Sequence, residues 1–141
     1  MSSQIAVPAQ NAVPFRRGAK ALITAGSRVL LVKERHSDGA PFWTLPGGGV
    51  EGAESKVTAL RRELAEELRC QATVGQSITH FWYSHTSVDK FTLCTVFDCS
   101  LLSSLTPNLG EGIYDMQWAR PGELPASTLL QVRHVVETCC R

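Results

Sequence analysis

Residues 47–70 read GGGVEGAESKVTALRRELAEELRC, three consecutive glycines followed by a charged segment that carries apolar residues at regular steps. From Ser55 to Leu68 the apolar side chains recur every three or four residues, at Val57, Leu60, Leu64 and Leu68. This spacing predicts an amphipathic helix whose apolar stripe faces the core. The glycine cluster lets the backbone approach a ligand closely, because no Cβ stands in the way.

Three glutamates share one face of this predicted helix. Glu63, Glu66 and Glu67 stand at positions i, i+3 and i+4, which groups their side chains away from the apolar stripe. Carboxylates so close repel one another, and a hard divalent cation with oxygen ligands would offset that repulsion. The alternative is a solvated charged face with Arg61 and Arg62 as local counterions. The triplet by itself leaves both interpretations open.

Outside this segment the chain alternates between apolar runs and turn residues. Two short apolar runs, 19–25 and 28–34, are separated by Gly26 and Ser27, a pattern typical of a β-hairpin. Three more strands and a closing helix are predicted at 78–83, 91–102, 113–119 and 127–138, the helix with Leu130, His134 and Glu137 at helical spacing. This order indicates the α/β (α+β) class, with a central mixed sheet flanked by helices on both faces.

Composition excludes several classes of protein. The chain has 141 residues, of which 43% are hydrophobic and 19% charged, which suits one globular domain and not a disordered chain. A formal net charge of +1 provides no overall field that would draw the protein to a nucleic acid polymer or a membrane surface. The apolar runs are far shorter than the roughly 20 residues that cross a bilayer.

The cysteines and the first residues bear on location and domain boundaries. Five cysteines without Cys-x-x-Cys spacing predict neither a disulfide framework nor a zinc site. Residues 1–15 are rich in Ser, Gln, Ala and Pro and do not follow the pattern of a secretory signal. We therefore expect a cytoplasmic protein with an N-terminal arm over residues 1–15 and a single domain over residues 16–141.

A longer pattern surrounds the glutamates. Gly48 is followed after five residues by Glu54, and after seven more by Arg62, Glu63, an apolar residue, one unspecified residue, and then Glu66 and Glu67. This arrangement resembles the signature of the Nudix hydrolases, and it implies a Nudix-type α/β/α sandwich. The resemblance departs from the signature at its end, where Arg69 replaces a glycine and Cys70 replaces a large aliphatic residue. Because that glycine would end the helix with a positive φ, we expect Arg69 either to accept strain or to end the helix differently.

The resemblance also implies an activity and a set of roles. Nudix hydrolases split a nucleoside diphosphate linked to a further group X, by attack of water on a phosphorus of the pyrophosphate. Glu66, Glu67 and the Gly47 carbonyl would bind Mg²⁺, with Mn²⁺ as a substitute, and Glu63 would bind a second ion or activate the water. Arg62 would orient Glu63, and Glu54 would pair with Arg62. Together with Gly48, these two residues would support the ligands without binding the metal themselves.

Further candidates lie outside the signature. Glu111, between two glycines in a loop, is the expected additional ligand or base, and Asp115 is its competitor. Arg35 and His36, just past the second strand, are predicted to bind phosphates. Aromatic side chains are predicted to stack on the base, at Phe42 and Tyr83, although core packing is the alternative for them.

The substrate is the least determined feature. Marks that the resemblance associates with particular subfamilies are missing, for example a proline between Gly49 and Thr106. Their absence favours a nucleoside or deoxynucleoside triphosphate, followed by ADP-ribose or a nucleotide sugar. The altered end at Arg69 motivates an alternative, a Nudix-fold module that binds or senses a nucleotide without cleaving it. A homodimer is also expected, because many domains of this family dimerise.

Overall fold

A computed structural model describes residues 15–35, 39–84 and 91–140. These residues form seven strands and two helices. In chain order the elements are β1 (Phe15–Ala25), β2 (Arg28–Glu34), β3 (Phe42–Thr44), β4 (Gly47–Gly49), α1 (Lys56–Leu68), β5 (Ala72–Ser84), β6 (Phe91–Leu101), β7 (Ile113–Ala119) and α2 (Leu130–Cys139). His36 lies outside the described residues, as does nearly all of the expected arm.

The predicted hairpin is confirmed. Strand β1 pairs antiparallel with β2, with Thr24 opposite Val29 and Ala25 opposite Arg28. The two-residue turn between them requires a positive φ, which Gly26 provides at 59°. The first described residue, Phe15, already belongs to β1.

The sheet is mixed, as the sequence predicts. Its main path runs β3-β2-β1-β6-β5, with β4 paired to β1 and β7 paired to β2. Strands β1 and β6 run parallel, whereas the other pairs are antiparallel. Strand β1 therefore lies at the centre, in contact with β2, β4 and β6.

Helices cover opposite faces of this sheet, which confirms the α/β/α sandwich. The apolar stripe of α1 is fully buried at Leu60, Leu64 and Leu68 and packs in one core cluster with Ala21 and Ile23 of β1. The second cluster contains Leu22 of β1 and three valines of α2, at 132, 135 and 136. Strand alternation explains this division, because neighbouring residues of β1 point to opposite faces. Each such buried leucine contributes about 1.5–3 kcal/mol.

Two elements differ from their predicted form. Helix α2 begins at Leu130 rather than Ser127, and the residues noted at helical spacing, Leu130, His134 and Glu137, form its exposed face. Strand β5 begins six residues before the predicted start at Ile78. It is an edge strand whose register on β6 shifts between Val74 and Thr79, so the alternation that marks a strand is interrupted there.

The ends of α1 are capped by different means. The Ser55 hydroxyl accepts a hydrogen bond from the Thr58 amide at 3.1 Å, an N-cap of the usual kind. At the other end Arg69 takes the left-handed conformation, with φ 50° and ψ 38°. The arginine therefore accepts the strained conformation, and the helix still ends at Leu68. In the described part of the chain, no helix has the length and apolar character needed to cross a membrane.

Candidate functional site

The glycines of β4 allow the carboxylates of α1 to approach the backbone. The Gly47 amide donates a hydrogen bond of 3.0 Å to Oε1 of Glu67. A Cβ at Gly48 would overlap the Glu63 carboxylate. Gly47 has φ 132°, and a Cβ there would overlap the carbonyl of Ala19 on the neighbouring strand. Glycine at 47 thus allows β4 to pair closely with β1, and glycine at 48 leaves room for the Glu63 carboxylate of α1.

One guanidinium organises the supporting contacts. Arg62 holds Glu54 by two hydrogen bonds, from Nε at 2.8 Å and from Nη2 at 2.9 Å. The same Nη2 donates to the Gly49 carbonyl at 3.0 Å, which ties the helix to the end of β4. These hydrogen bonds lower the pKa of Glu54 to about 2.

Arg62 also contacts two glutamates of the acidic face. Its Nη1 lies 2.8 Å from Glu63 Oε2 and 3.1 Å from Glu66 Oε1. The positive charge offsets the repulsion between the two carboxylates, so Arg62 is a local counterion and also links α1 to Glu54 and β4. Burial nevertheless raises the pKa of Glu63, against the opposing effect of Arg62.

Glu67 lies deeper than the other two. The residue is 7% exposed, and burial raises its pKa to about 8, although the nearby Lys20 ammonium acts in the opposite direction. Lys20 donates a hydrogen bond of 3.2 Å to the Gly47 carbonyl. Burial alone would lower the pKa of Lys20, but the charges of Glu34 and Glu67 outweigh this effect and raise it. The chain thus provides its own cation beside these carboxylates.

A cavity of about 240 Å³ opens beside these groups. Glu63 and Glu67 line it from α1, Glu34 lines it from β2, and the three glycines of β4 form part of its wall. Strands β1, β5 and β6 contribute Arg16, Gly18, Lys20, Tyr83, Thr92 and Cys94. A larger hollow of about 470 Å³ lies at the β1–β2 turn and contains none of the predicted site residues. We therefore regard the smaller cavity as the candidate active site.

The donor atoms around the cavity suit a hard cation. Carboxylate oxygens of the acidic face and the Gly47 carbonyl are oxygen ligands of the type that Mg²⁺ prefers. Their geometry is not that of a closed metal site, because Glu66 is turned to Arg62 and the Gly47 carbonyl accepts from Lys20. Within residues 15–35, 39–84 and 91–140, no three His, Cys, Asp or Glu side chains converge on a point that could hold a metal.

The predicted substrate-binding residues do not all reach this cavity. Arg35 lies over the ring of Tyr114, 5.3 Å from its centroid, and donates to the hydroxyl at 3.2 Å. Phe42 and Tyr83 come together from distant parts of the chain, with ring centroids 6.3 Å apart. Tyr83 lines the cavity. Binding of substrate by Arg35, His36, Phe42 or Tyr83 stays a prediction.

The two loop carboxylates are both exposed. Glu111 ends a 3₁₀ turn, and Asp115 accepts a hydrogen bond from the Met116 amide at 2.8 Å in β7. Neither is among the described residues that line the cavity. The role of Glu111 as an additional ligand or base therefore also stays a prediction.

Asn108, which was not predicted from the sequence, binds the loop of Glu111 to α1 by hydrogen bonds. Its backbone amide donates to the Glu67 carbonyl and its side-chain amide to the Glu66 carbonyl, each at 2.8 Å. Both carbonyls belong to the last turn of α1, where helix carbonyls lack partners within the helix. Lys20 and Arg16 were missed as well. Their signal was that Arg16 and Lys20 stand two positions before and two positions after Gly18, on the same side of a strand.

Comparison with known proteins agrees with the fold and the signature. The NUDIX domain family model matches residues 14–138, so the chain belongs to the NUDIX family. A crystal structure of a MutT NUDIX hydrolase from Burkholderia pseudomallei superimposes with a TM-score of 0.79 at 22% identity, covering 88% of this chain and 97% of the other. At that identity the likeness shows the fold alone.

Two curated relatives are similar over part of the chain. A CTP pyrophosphohydrolase of Escherichia coli is 44% identical over 59 residues, which are 41% of this chain and 44% of the relative. An RNA pyrophosphohydrolase of Orientia tsutsugamushi is 27% identical over 81 residues, 57% of this chain and 50% of the relative. The match thus spans about half the length of each relative.

Proposed function

We propose that the protein is a metal-dependent pyrophosphohydrolase, which cleaves a phosphoanhydride bond in a nucleoside diphosphate linked to a further group X. The observation that carries the proposal is the Arg62 cluster, in which Glu54, Glu63 and Glu66 meet beside the glycine strand that also binds Glu67. A nucleoside or deoxynucleoside triphosphate is the favoured substrate, ahead of ADP-ribose and nucleotide sugars. The similarity to a CTP pyrophosphohydrolase supports this order.

The residues divide into ligands and a proton acceptor. Glu66, Glu67 and the Gly47 carbonyl would hold Mg²⁺, or Mn²⁺ in its place, after the side chains of Glu66 and Lys20 turn from their present partners. Such an ion, when bound, would neutralise charge on the pyrophosphate and make the attacking water easier to deprotonate. Glu63, held by Arg62, would accept a proton from the attacking water or bind a second ion. Glu111 is proposed as the additional ligand or base.

The reaction forms one bond and breaks one. The oxygen of water bonds to a phosphorus of the pyrophosphate, and the bridging oxygen leaves with the electron pair of the broken P–O bond. One proton of the water passes to the base. Arg62 keeps the Glu63 carboxylate oriented during this transfer, because its guanidinium is anchored by Glu54 and the Gly49 carbonyl.

The test is phosphate release from a nucleotide panel with Mg²⁺, measured with and without added inorganic pyrophosphatase. Release that depends on pyrophosphatase indicates cleavage between the α and β phosphates of a triphosphate. We expect Glu67→Gln to lower turnover at least a hundredfold with an unchanged melting curve, and Glu137→Gln, on the exposed face of α2, to leave turnover unchanged.

Two results would contradict the proposal. One is a folded Glu67→Gln variant that hydrolyses nucleotides at the normal rate. The other is no release from triphosphates, ADP-ribose, nucleotide sugars and dinucleoside polyphosphates alike, which would favour the non-cleaving nucleotide-binding module.

We further propose a homodimer located in the cytoplasm, with the arm predicted over residues 1–15 outside the domain except for Phe15, which is the first residue of β1. Sedimentation of the chain with and without residues 1–13 tests the assembly. A monomeric full chain would contradict the dimer, and an unchanged dimer mass after truncation would remove the arm from the interface. Fractionation of cells that express the tagged chain tests the location.

A further inference from the structure

Strand β1 presents a row of alternating residues to the candidate active site. Arg16, Gly18 and Lys20 all line the cavity, as expected for every second residue of a strand. Gly18 leaves the wall between the two cations free of a side chain. A Cβ there would lie 3.1 Å from the Thr92 methyl group and 3.3 Å from the Cys94 sulfur.

Neither cation has a described carboxylate within 4.0 Å, although the more distant charges of Glu34 and Glu67 act on Lys20. Among the described residues, every ion pair within 4.0 Å is made by Arg62. Lys20 makes one hydrogen bond, to the Gly47 carbonyl, so two of its three N–H donors are unused there. The Arg16 guanidinium lies over β4, with Nη2 3.3 Å from where a Cβ of Gly49 would be. No hydrogen-bond partner for it occurs among the described residues.

The cavity therefore has a carboxylate wall and a cationic wall. Glu63 and Glu67 of α1 and Glu34 of β2 are the carboxylates, and Arg16 and Lys20 of β1 are the cations. A phosphate chain suits this arrangement, because it needs cationic donors for its oxygens while the carboxylate wall provides oxygen ligands for a metal. The two cations stand four positions apart along the strand, a Cα distance of about 13 Å, which is enough for them to bind different phosphates.

We propose that Arg16 and Lys20 bind the phosphate chain of the substrate, and that Arg16 favours a triphosphate over the corresponding diphosphate. Lys20 contacts the phosphate beside Gly47, and Arg16 contacts a phosphate farther along β1. The guanidinium fork suits this second contact, because it can bind two phosphate oxygens at once. This assignment rests on the proposed function and names residues other than Arg35 and His36 as the principal phosphate ligands.

The kinetic test compares neighbouring arginines. Arg16→Ala is expected to raise the KM for CTP at least tenfold with little change in kcat, and to lower the ratio of kcat/KM for CTP over CDP at least fivefold. Arg17→Ala is the matched control, because Arg17 is exposed as well and strand alternation points it away from the cavity. Since Arg16 is exposed, its replacement leaves the core intact, which a melting curve verifies. Equal kinetics for the two variants would overturn the assignment.

A binding experiment separates this assignment from the proposed function. Inorganic triphosphate is titrated calorimetrically into the wild-type, Arg16→Ala, Lys20→Met and Arg17→Ala proteins, with and without Mg²⁺. Binding by the wild type and Arg17→Ala, weakened at least tenfold in the other two, supports the assignment even if no nucleotide is hydrolysed. No binding by the wild type under either condition, or equal binding by all four, overturns it.

Discussion

The Arg62 guanidinium binds the Glu54 carboxylate through two parallel hydrogen bonds, of 2.8 Å and 2.9 Å, and uses its remaining donors on the acidic face and on β4. The planar fork of arginine makes this set of contacts possible, since one end holds Glu54 while the other reaches Glu63 and Glu66. Glu54 therefore sets the direction from which Arg62 meets the acidic face.

Arg62→Lys tests this arrangement. A lysine ammonium keeps the charge but cannot make the paired contact with Glu54 and also reach Glu63 and the Gly49 carbonyl. We expect kcat/KM to fall about 10–100-fold while the protein stays folded. Arg61→Lys, on the exposed neighbour, should have wild-type kinetics. Wild-type kinetics for Arg62→Lys as well would show that charge alone is sufficient.

The glycine strand provides a second prediction. Gly48→Ala places a methyl group where the Glu63 carboxylate lies, so the carboxylate has to move. A displacement of about 1 Å at a catalytic group costs about a hundredfold in rate, and we expect a loss of that size in kcat/KM. Gly122→Ala is the control, because a Cβ there meets nothing within 4 Å and its φ is not in the left-handed region. Unchanged kinetics for Gly48→Ala would mean that the position of Glu63 is not critical.

Arg69→Gly is expected to stabilise the protein. The left-handed conformation at φ 50° costs a non-glycine residue about 1–2 kcal/mol, and glycine removes this cost. Because glycine also loses more conformational freedom on folding, part of the stabilisation is offset. A net increase of about 0.5–1 kcal/mol, or about 2–3 °C in melting temperature, should be visible by calorimetry. Arg69→Ala keeps the strain and removes the arginine, so it should show no such increase. Equal stabilisation by both variants would assign the effect to the arginine side chain instead.

The Glu54–Arg62 pair should make stability depend on pH in the acid range. Hydrogen bonds from Arg62 lower the pKa of Glu54 to about 2, from an ordinary value of 4.5. A lowered pKa means that the stabilisation is complete above about 4.5 and is lost as the pH falls toward 2. The difference in melting temperature between wild type and Glu54→Gln should therefore be constant above pH 5 and shrink below it. A difference that stays constant down to pH 2.5 would contradict the shift.

Most elements of the fold can be predicted from local sequence patterns. The hairpin at Gly26 and the helix from Lys56 to Leu68 follow from turn residues and from apolar spacing within a few residues, and both are found where the sequence predicts them. Strand β5 is longer than the sequence predicts, because its first residues are held in the sheet by pairing with β6 and not marked by their own alternation. The helical spacing that starts at Leu130 follows the exposed face of α2, whereas the buried face carries three valines, at 132, 135 and 136. Leu130 is misleading because it is apolar and yet 78% exposed.

The sequence by itself determined that three glutamates share a helix face and that glycines precede them, because helical period and backbone freedom are local properties. Only the tertiary structure decided which groups meet that face. Lys20 reaches the Gly47 carbonyl because β1 pairs with β4, and Arg16 lines the same cavity because this pairing places its side of β1 beside the glycines of β4. Such contacts depend on strand pairing between residues far apart in the chain, which no pattern within a single segment encodes.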